Sequence, residues 1–299
     1  ASSRRRFTSG NAASTSASSL ELSATGAAVL DLNGKTLTIT GDVIWSSASA
    51  SIALGGGNLV LLGNLTASGG GVVNITGAGT VTYGTGLSRT LTLINPGNSI
   101  AGTLVKQGPA SLELAGAAAL DLGGLTIEQG MLSMNGKTLN VAGAPTISGG
   151  TLFNGSGSVL NCGGLIVNGG DYQPGGGTLN FNTTGTWSDS GGFEDFGTVN
   201  LVAGANVTLA SDVACSALNV QGGTANAVAL AGRTLRVTGN IIWSSAGTAA
   251  ITGGSGTLAI GGNLTAIGAG VIQMNQSGSN AVRFNTAGAK VITLANSGN

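Results

Sequence analysis

One short phrase that reads as a turn entering a strand recurs along the chain, and it limits the fold more than any other feature. Leu32-Asn33-Gly34-Lys35-Thr36-Leu37 returns as Met134-Asn135-Gly136-Lys137-Thr138-Leu139 and again as Leu230-Ala231-Gly232-Arg233-Thr234-Leu235. Each copy runs on through one residue, a β-branched residue, one more residue and glycine, as in Thr38-Ile39-Thr40-Gly41. The copies start 102 and 96 residues apart. Gly63-Asn64-Leu65, Gly163-Gly164-Leu165 and Gly262-Asn263-Leu264 keep the same spacing, as do Ile44-Trp45-Ser46-Ser47 and Ile242-Trp243-Ser244-Ser245. Landmarks that agree on one long period are the mark of a repeat architecture. The expectation is a repeat of about 100 residues, giving three degenerate modules over residues 20–120, 121–217 and 218–299.

Within a module the pattern is finer. Alternating runs such as Leu37 to Thr40, Leu59 to Leu62 and Val72 to Ile75 are cut apart by Gly, Asn or Ser, which reads as short strands and tight turns. With 55 glycines among 299 residues, no stretch keeps helical spacing. The fold class expected is all-β, a parallel β-helix (β-solenoid) with coils of ~20 residues and apolar side chains stacked coil over coil. A β-sandwich of three tandem domains is the alternative. It is disfavoured because aromatics make up only 4% of the chain and would fill three separate cores poorly.

The segment Leu104-Val105-Lys106-Gln107-Gly108-Pro109-Ala110-Ser111-Leu112-Glu113-Leu114-Ala115-Gly116, with Gly123-Gly124-Leu125-Thr126-Ile127-Glu128-Gln129-Gly130-Met131-Leu132 after it, resembles the β-strand repeats of bacterial autotransporter passengers and related adhesins. The shared pattern is a Lys-x-Gly step, an alternating Leu strand closed by Gly, a Gly-Gly-x-Thr-Ile strand and a Gly-x-Leu strand. The match is confined to these two stretches, a small part of the chain. It implies a right-handed β-helix that is secreted and displayed at the bacterial cell surface. The chain departs from a complete autotransporter in having neither a C-terminal membrane barrel nor a visible protease triad.

Several chemistries are excluded. There is no histidine, so Ser-His-Asp and Cys-His catalysis and His-ligated metals drop out. The Gly-Lys-Thr triplets at Gly34 and Gly136 lack the earlier glycine of a phosphate loop, since Val29 and Met131 stand there. Asp171 beside Gly169 and Gly170 is isolated, so a calcium-binding repeat is not expected. Net charge is zero with 11 basic and 11 acidic residues, three of the former being Arg4, Arg5 and Arg6, so no strongly basic face for nucleic acid is expected. No apolar run approaches the ~18 residues of a membrane span. No cofactor is expected. Cys162 and Cys215 are expected as two buried free thiols, two to three coils apart, with a bridge left open only if the coils are longer than ~20 residues. Thr36-x-Thr38-x-Thr40 is not repeated at Thr138 or Thr234, so an ice-binding threonine ladder is not expected.

One segment concentrates polar and aromatic chemistry. Trp187-Ser188-Asp189-Ser190-Gly191-Gly192-Phe193-Glu194-Asp195-Phe196 holds three acids and three aromatics. As a protruding loop, it would bind a glycan or host protein through Trp187 and Phe193, with Asp189, Glu194 and Asp195 supplying polar contacts. A polysaccharide-degrading enzyme would need two of these carboxyls ~5–9 Å apart. The plainer reading is a turn between coils with Phe193 and Phe196 inward and the acids solvated.

A β-helix closes its sides but leaves strand edges at its ends. Leu294, Asn296 and Asn299 are expected at such an assembly end, where subunits add head to tail as a homopolymer. Residues 1–19, with the Arg triplet, are expected to be a flexible polar tail. The function expected is a non-enzymatic, extracellular structural protein, a fibre or filament subunit or an adhesin stalk. A surface adhesin module binding a glycan or host protein is the alternative, and a polysaccharide-degrading β-helix enzyme the weaker one.

Overall fold

The computed structural model describes residues 4–6, 14–23, 25–202, 204–221, 227–244, 248–252, 255–267, 271–275, 281–285 and 288–294. Every regular element among them is a β-strand, and the strands of successive coils pair in parallel. The fold is a parallel β-solenoid with successive coils about 22 residues apart. Among the described residues no helix is long and apolar enough to cross a membrane. The chain divides into two compact units, residues 1–142 with 147–153, and residues 143–146 with 154–299.

In the first unit the coils form three columns of stacked strands. One column runs through Val29–Asp31, Ser51–Ala53, Asn74–Thr76, the first part of Asn98–Gln107, the first part of Leu120–Ile127, and Thr138–Val141. A second runs through Ser14–Ala17, Thr36–Ile39, Asn58–Leu61, Thr80–Gly84 and the later parts of the same two long strands. The third includes Leu20–Leu22, Val43–Trp45, Leu65–Ala67, Arg89–Leu93 and Ser111–Gly116. Alternation decides what lies inside. Leu30, Ile52, Ile75, Ile100, Leu122 and Val141 lie one above another and are all buried. Side chains at period two face the core, and the stack places like upon like.

In the second unit one column runs through Val159–Cys162, Thr178–Phe181, Thr198–Leu201, Ala217–Val220, Ile241–Trp243, Leu264–Ala266 and Ile292–Leu294. Its outward Asn161, Asn180, Asn200 and Asn219 form a ladder, each amide donating to the one before at 2.7–2.8 Å. A large residue faces a small one where space is short, as with Trp243 against Ala266 here and Trp45 against Ala67 in the first unit. Cys162 and Cys215 are both buried and free, as expected, and burial pushes both thiols far up from the usual range.

The strand pairing bears on the repeated phrase and on the start of the chain. Thr36–Ile39 and Thr138–Val141, which carry the first two copies of the repeated phrase, stand in different columns of the same unit. The long spacing between copies is therefore not a stacking period; the stacked unit is the coil of about 22 residues. What the copies share is a corner. Asn33 and Gly34 both have positive φ (49° and 75°), as do Asn135 with Gly136 and Ala231 with Gly232. Lys35, Lys137 and Arg233 each donate their N–H to the carbonyl three residues back, at 2.8–2.9 Å. Two successive positive φ values define a type I′ geometry that Asn-Gly adopts most readily, so the recurrence reports turn chemistry. Arg4–Arg6 pairs with Val29–Asp31 and Ser14–Ala17 pairs with Thr36–Ile39, so coil structure begins before residue 20.

Candidate functional site

The aromatic and acidic segment of the second unit begins in a strand, Thr184–Asp189, that lies between Leu165–Val167 and Asn206–Leu209. Trp187 is at an inward position, and none of its surface reaches solvent. It sits edge-on to Phe181 at 5.3 Å and to Phe196 at 5.4 Å, and Phe196 stacks on Tyr172 at 5.4 Å. These are favourable aromatic geometries and they form a core cluster. Trp187 therefore cannot stack on a glycan in the folded chain. Its Nε1–H has no hydrogen-bond partner, which leaves that donor desolvated within the core.

After Asp189 the chain turns outward. Asp189 is 3% exposed, and its two carboxylate oxygens accept from the N–H groups of Gly191 (2.8 Å) and Glu194 (2.9 Å). Its own N–H donates to Ser211 Oγ at 2.6 Å. The carboxylate is thus committed to closing the loop. Gly192 and Phe193 then take positive φ values of 74° and 65° in succession, and this rotates Phe193 out to 42% exposure. Left-handed backbone is costly for a residue with a Cβ, and Asp189 holds the turn that imposes it. Phe196 points inward as expected; Phe193 does not.

Glu194 turns back toward Asp171. Its Oε2 accepts from the Tyr172 N–H at 3.3 Å, and its carboxyl shares a hydrogen bond with the Asp171 carboxyl. Partial burial first, then Asp171 and the negative charge of Asp189, push the Glu194 carboxyl up to about 8, while the Tyr172 N–H opposes the shift. Asp195 is exposed. Its Oδ1 accepts from the Gly197 N–H (2.8 Å) and its Oδ2 from Ser216 Oγ (2.6 Å), so it too secures a turn. Two carboxyls joined by a hydrogen bond are closer than the ~5–9 Å used in glycoside hydrolysis. Among the described residues no three Cys, Asp or Glu side chains are grouped to hold a metal ion.

Of the expected site residues, the fold leaves Phe193 with an open aromatic face, places Glu194 and Asp195 beside it in the chain, and withdraws Trp187 and Asp189. Asp171, isolated in sequence, belongs to the same cluster. The signal was in the coil spacing, since Asp171 stands about one coil before Glu194.

Two further positions stand out. Lys106 stands in register with Tyr83 and Ile127, at a position that otherwise points inward, and is 2% exposed. Its Nζ donates to the carbonyls of Gln107 (2.9 Å), Gly108 (2.8 Å) and Gln129 (3.3 Å), and desolvation lowers its pKa. It ties the corner of one coil to the next. At the last described coil Leu294 is 51% exposed beside Ile292 at 53%. Both are in register with the buried Leu264 and Ala266. Asn296 and Asn299 lie outside the described residues.

Comparison with family models, with curated proteins and with solved structures found no match to this chain.

Proposed function

We propose that the chain is a non-enzymatic structural protein of the bacterial cell surface, a fibre subunit or adhesin stalk that grows by stacking coil on coil. On this reading it is a right-handed solenoid of the adhesin type that the segment from Leu104 to Leu132 resembles. The observation that supports it most is apolar side chains in core register that stand open at one edge. Val282 and Phe284 pair with the buried Leu258 and Ile260, yet each is 38% exposed. Ile292 and Leu294 repeat this in the neighbouring column. A further coil, from a second chain or from more of the same polypeptide, would cover all four and pair the open strand edges. The sparse charge on the sides adds little repulsion between subunits.

Electron microscopy of the native protein over a dilution series tests this. Long unbranched fibres that shorten or vanish in Phe284→Lys and Leu294→Lys are expected. Separate particles at every concentration, unchanged by those substitutions, would remove head-to-tail stacking. The second reading, an adhesin module, draws on the exposed Phe193 at its positive-φ turn. A glycan or host-protein ligand lost on Phe193→Ala with assembly intact would favour it.

A further inference from the structure

The second column of the first unit carries a regular outer face. Its strands stack without a slip in register, so two rows of outward positions run along the coils. One row is Ser14, Thr36, Asn58, Thr80, Thr103 and Gly124. The other is Ser16, Thr38, Val60, Thr82, Val105 and Thr126, of which Thr82 (8% exposed) and Val105 (9%) are covered. The inward neighbours Leu37, Leu59, Val81, Leu104 and Leu125 are buried, which fixes the opposite positions on the outside. Of the ten positions in these rows that reach solvent, five are threonine and none is ionisable. The other two columns differ, with Asp31 and Asp121 on one outer face and Glu21 and Glu113 on the other.

We infer that this face binds ice. Strand stacking repeats each row every ~4.8 Å, and positions two apart on a strand are ~6.6 Å apart. Hexagonal ice presents, on a single flat plane, one oxygen repeat near the first spacing and another somewhat longer than the second, a mismatch that stays small across only two rows. A threonine offers a hydroxyl that can stand in for a lattice water, and a methyl that makes no competing hydrogen bond. The β-branch restricts χ1, and neighbouring side chains limit it further, so the array is ordered before it meets the lattice. Thr80 donates to Asn58 Oδ1 at 2.7 Å, which holds its hydroxyl in place, and the covered Thr82 donates to the same oxygen at 3.1 Å. The absence of charge matters because ions orient water in arrangements that ice cannot use. A second copy of the chain fits less well. Six strands by four residues cover only about 300 Å², against about 800 Å² per partner in a stable protein interface. This inference does not rest on the proposed fibre role.

Thr138 and Thr234 do not continue the ladder of Thr36 because they belong to other columns. The test is growth of single ice crystals in solutions of the full chain, read as crystal shape and thermal hysteresis. Faceted crystals and a hysteresis gap are expected. Both should be lost in Thr38→Lys and in Thr126→Lys at unchanged circular dichroism, and kept in Glu113→Lys on another face. Unshaped discs with the wild-type chain would overturn the inference, as would lysine variants that shape ice equally well. A concentration-dependent dimer abolished by Thr38→Lys would assign the face to a second copy instead.

Discussion

Glu194→Gln isolates the one carboxyl of the loop whose protonation the fold controls. In the folded chain Glu194 titrates near 8, against 4.5 for an ordinary glutamate. A raised folded value means that the native loop holds a proton which the opened loop releases. The stabilisation is complete below about pH 4.5, declines as pH rises through 8, and is gone above it. A fully buried group would lose ~1.4 kcal/mol per pH unit over that window. Glu194 is only partly buried, and solvent screening reduces the total to about 1–2 kcal/mol. Glutamine keeps a neutral donor for Asp171 and cannot ionise, so the variant should have no such slope. The assay is hydrogen exchange at the amides of Tyr172, Gly191 and Glu194, expressed as protection factors to remove the intrinsic pH dependence. In the wild-type chain these should fall about 5- to 30-fold between pH 5 and 9, while amides of Thr36–Ile39 stay level. Equal slopes in wild type and Glu194→Gln would refute the shared-proton contact.

Four further outcomes follow from the geometry. Trp187→Ala empties the centre of the cluster with Phe181, Tyr172 and Phe196 and should cost about 3–5 kcal/mol in denaturant melts of the second unit. Gly71→Ala would set a Cβ 1.8 Å from the Trp45 carbonyl oxygen, whereas the neighbouring Gly70 has nothing within 4 Å. The first should lower the melting temperature clearly and the second hardly at all. Ala231→Asn supplies the residue that the other two corners use at a φ of about 50° and should stabilise by about 1 kcal/mol. Cys162 and Cys215 should resist thiol reagents in the native protein and react fully once it is unfolded.

The glycosylation motifs divide by burial in a similar way. The sequence carries seven Asn-x-Ser/Thr sites, and Asn154 among them has no exposed surface. Its Nδ2 donates to the Tyr172 hydroxyl at 2.7 Å and to the Thr178 carbonyl at 3.1 Å. A motif defined by three consecutive residues says nothing of which side of a strand it occupies.

What the sequence by itself determined is local. Alternation at period two announced short strands with one buried face, and Asn-Gly pairs announced corners, because both depend only on a few consecutive dihedrals and side chains. The low aromatic content and scattered Gly turns pointed to stacked coils, and the two cysteines read correctly as buried and unbridged. What only the tertiary structure decided is which strand lies on which. That register depends on the length of every coil, and the coils are unequal. The step from Val159 to its partner Thr178 is much shorter than the step from Leu264 to Ile292, so a small error in each accumulates down the chain. The long spacing between copies of the corner phrase therefore looked like a module while the copies stood in different columns. The same unevenness of coil length hid Asp171 beside Glu194, and the threonine rows of the first unit. The inward setting of Trp187 and Lys106 was hidden for another reason. Each is amphipathic, and whether such a side chain is buried depends on the partners that meet it there: aromatic edges for Trp187, and three backbone carbonyls for Lys106.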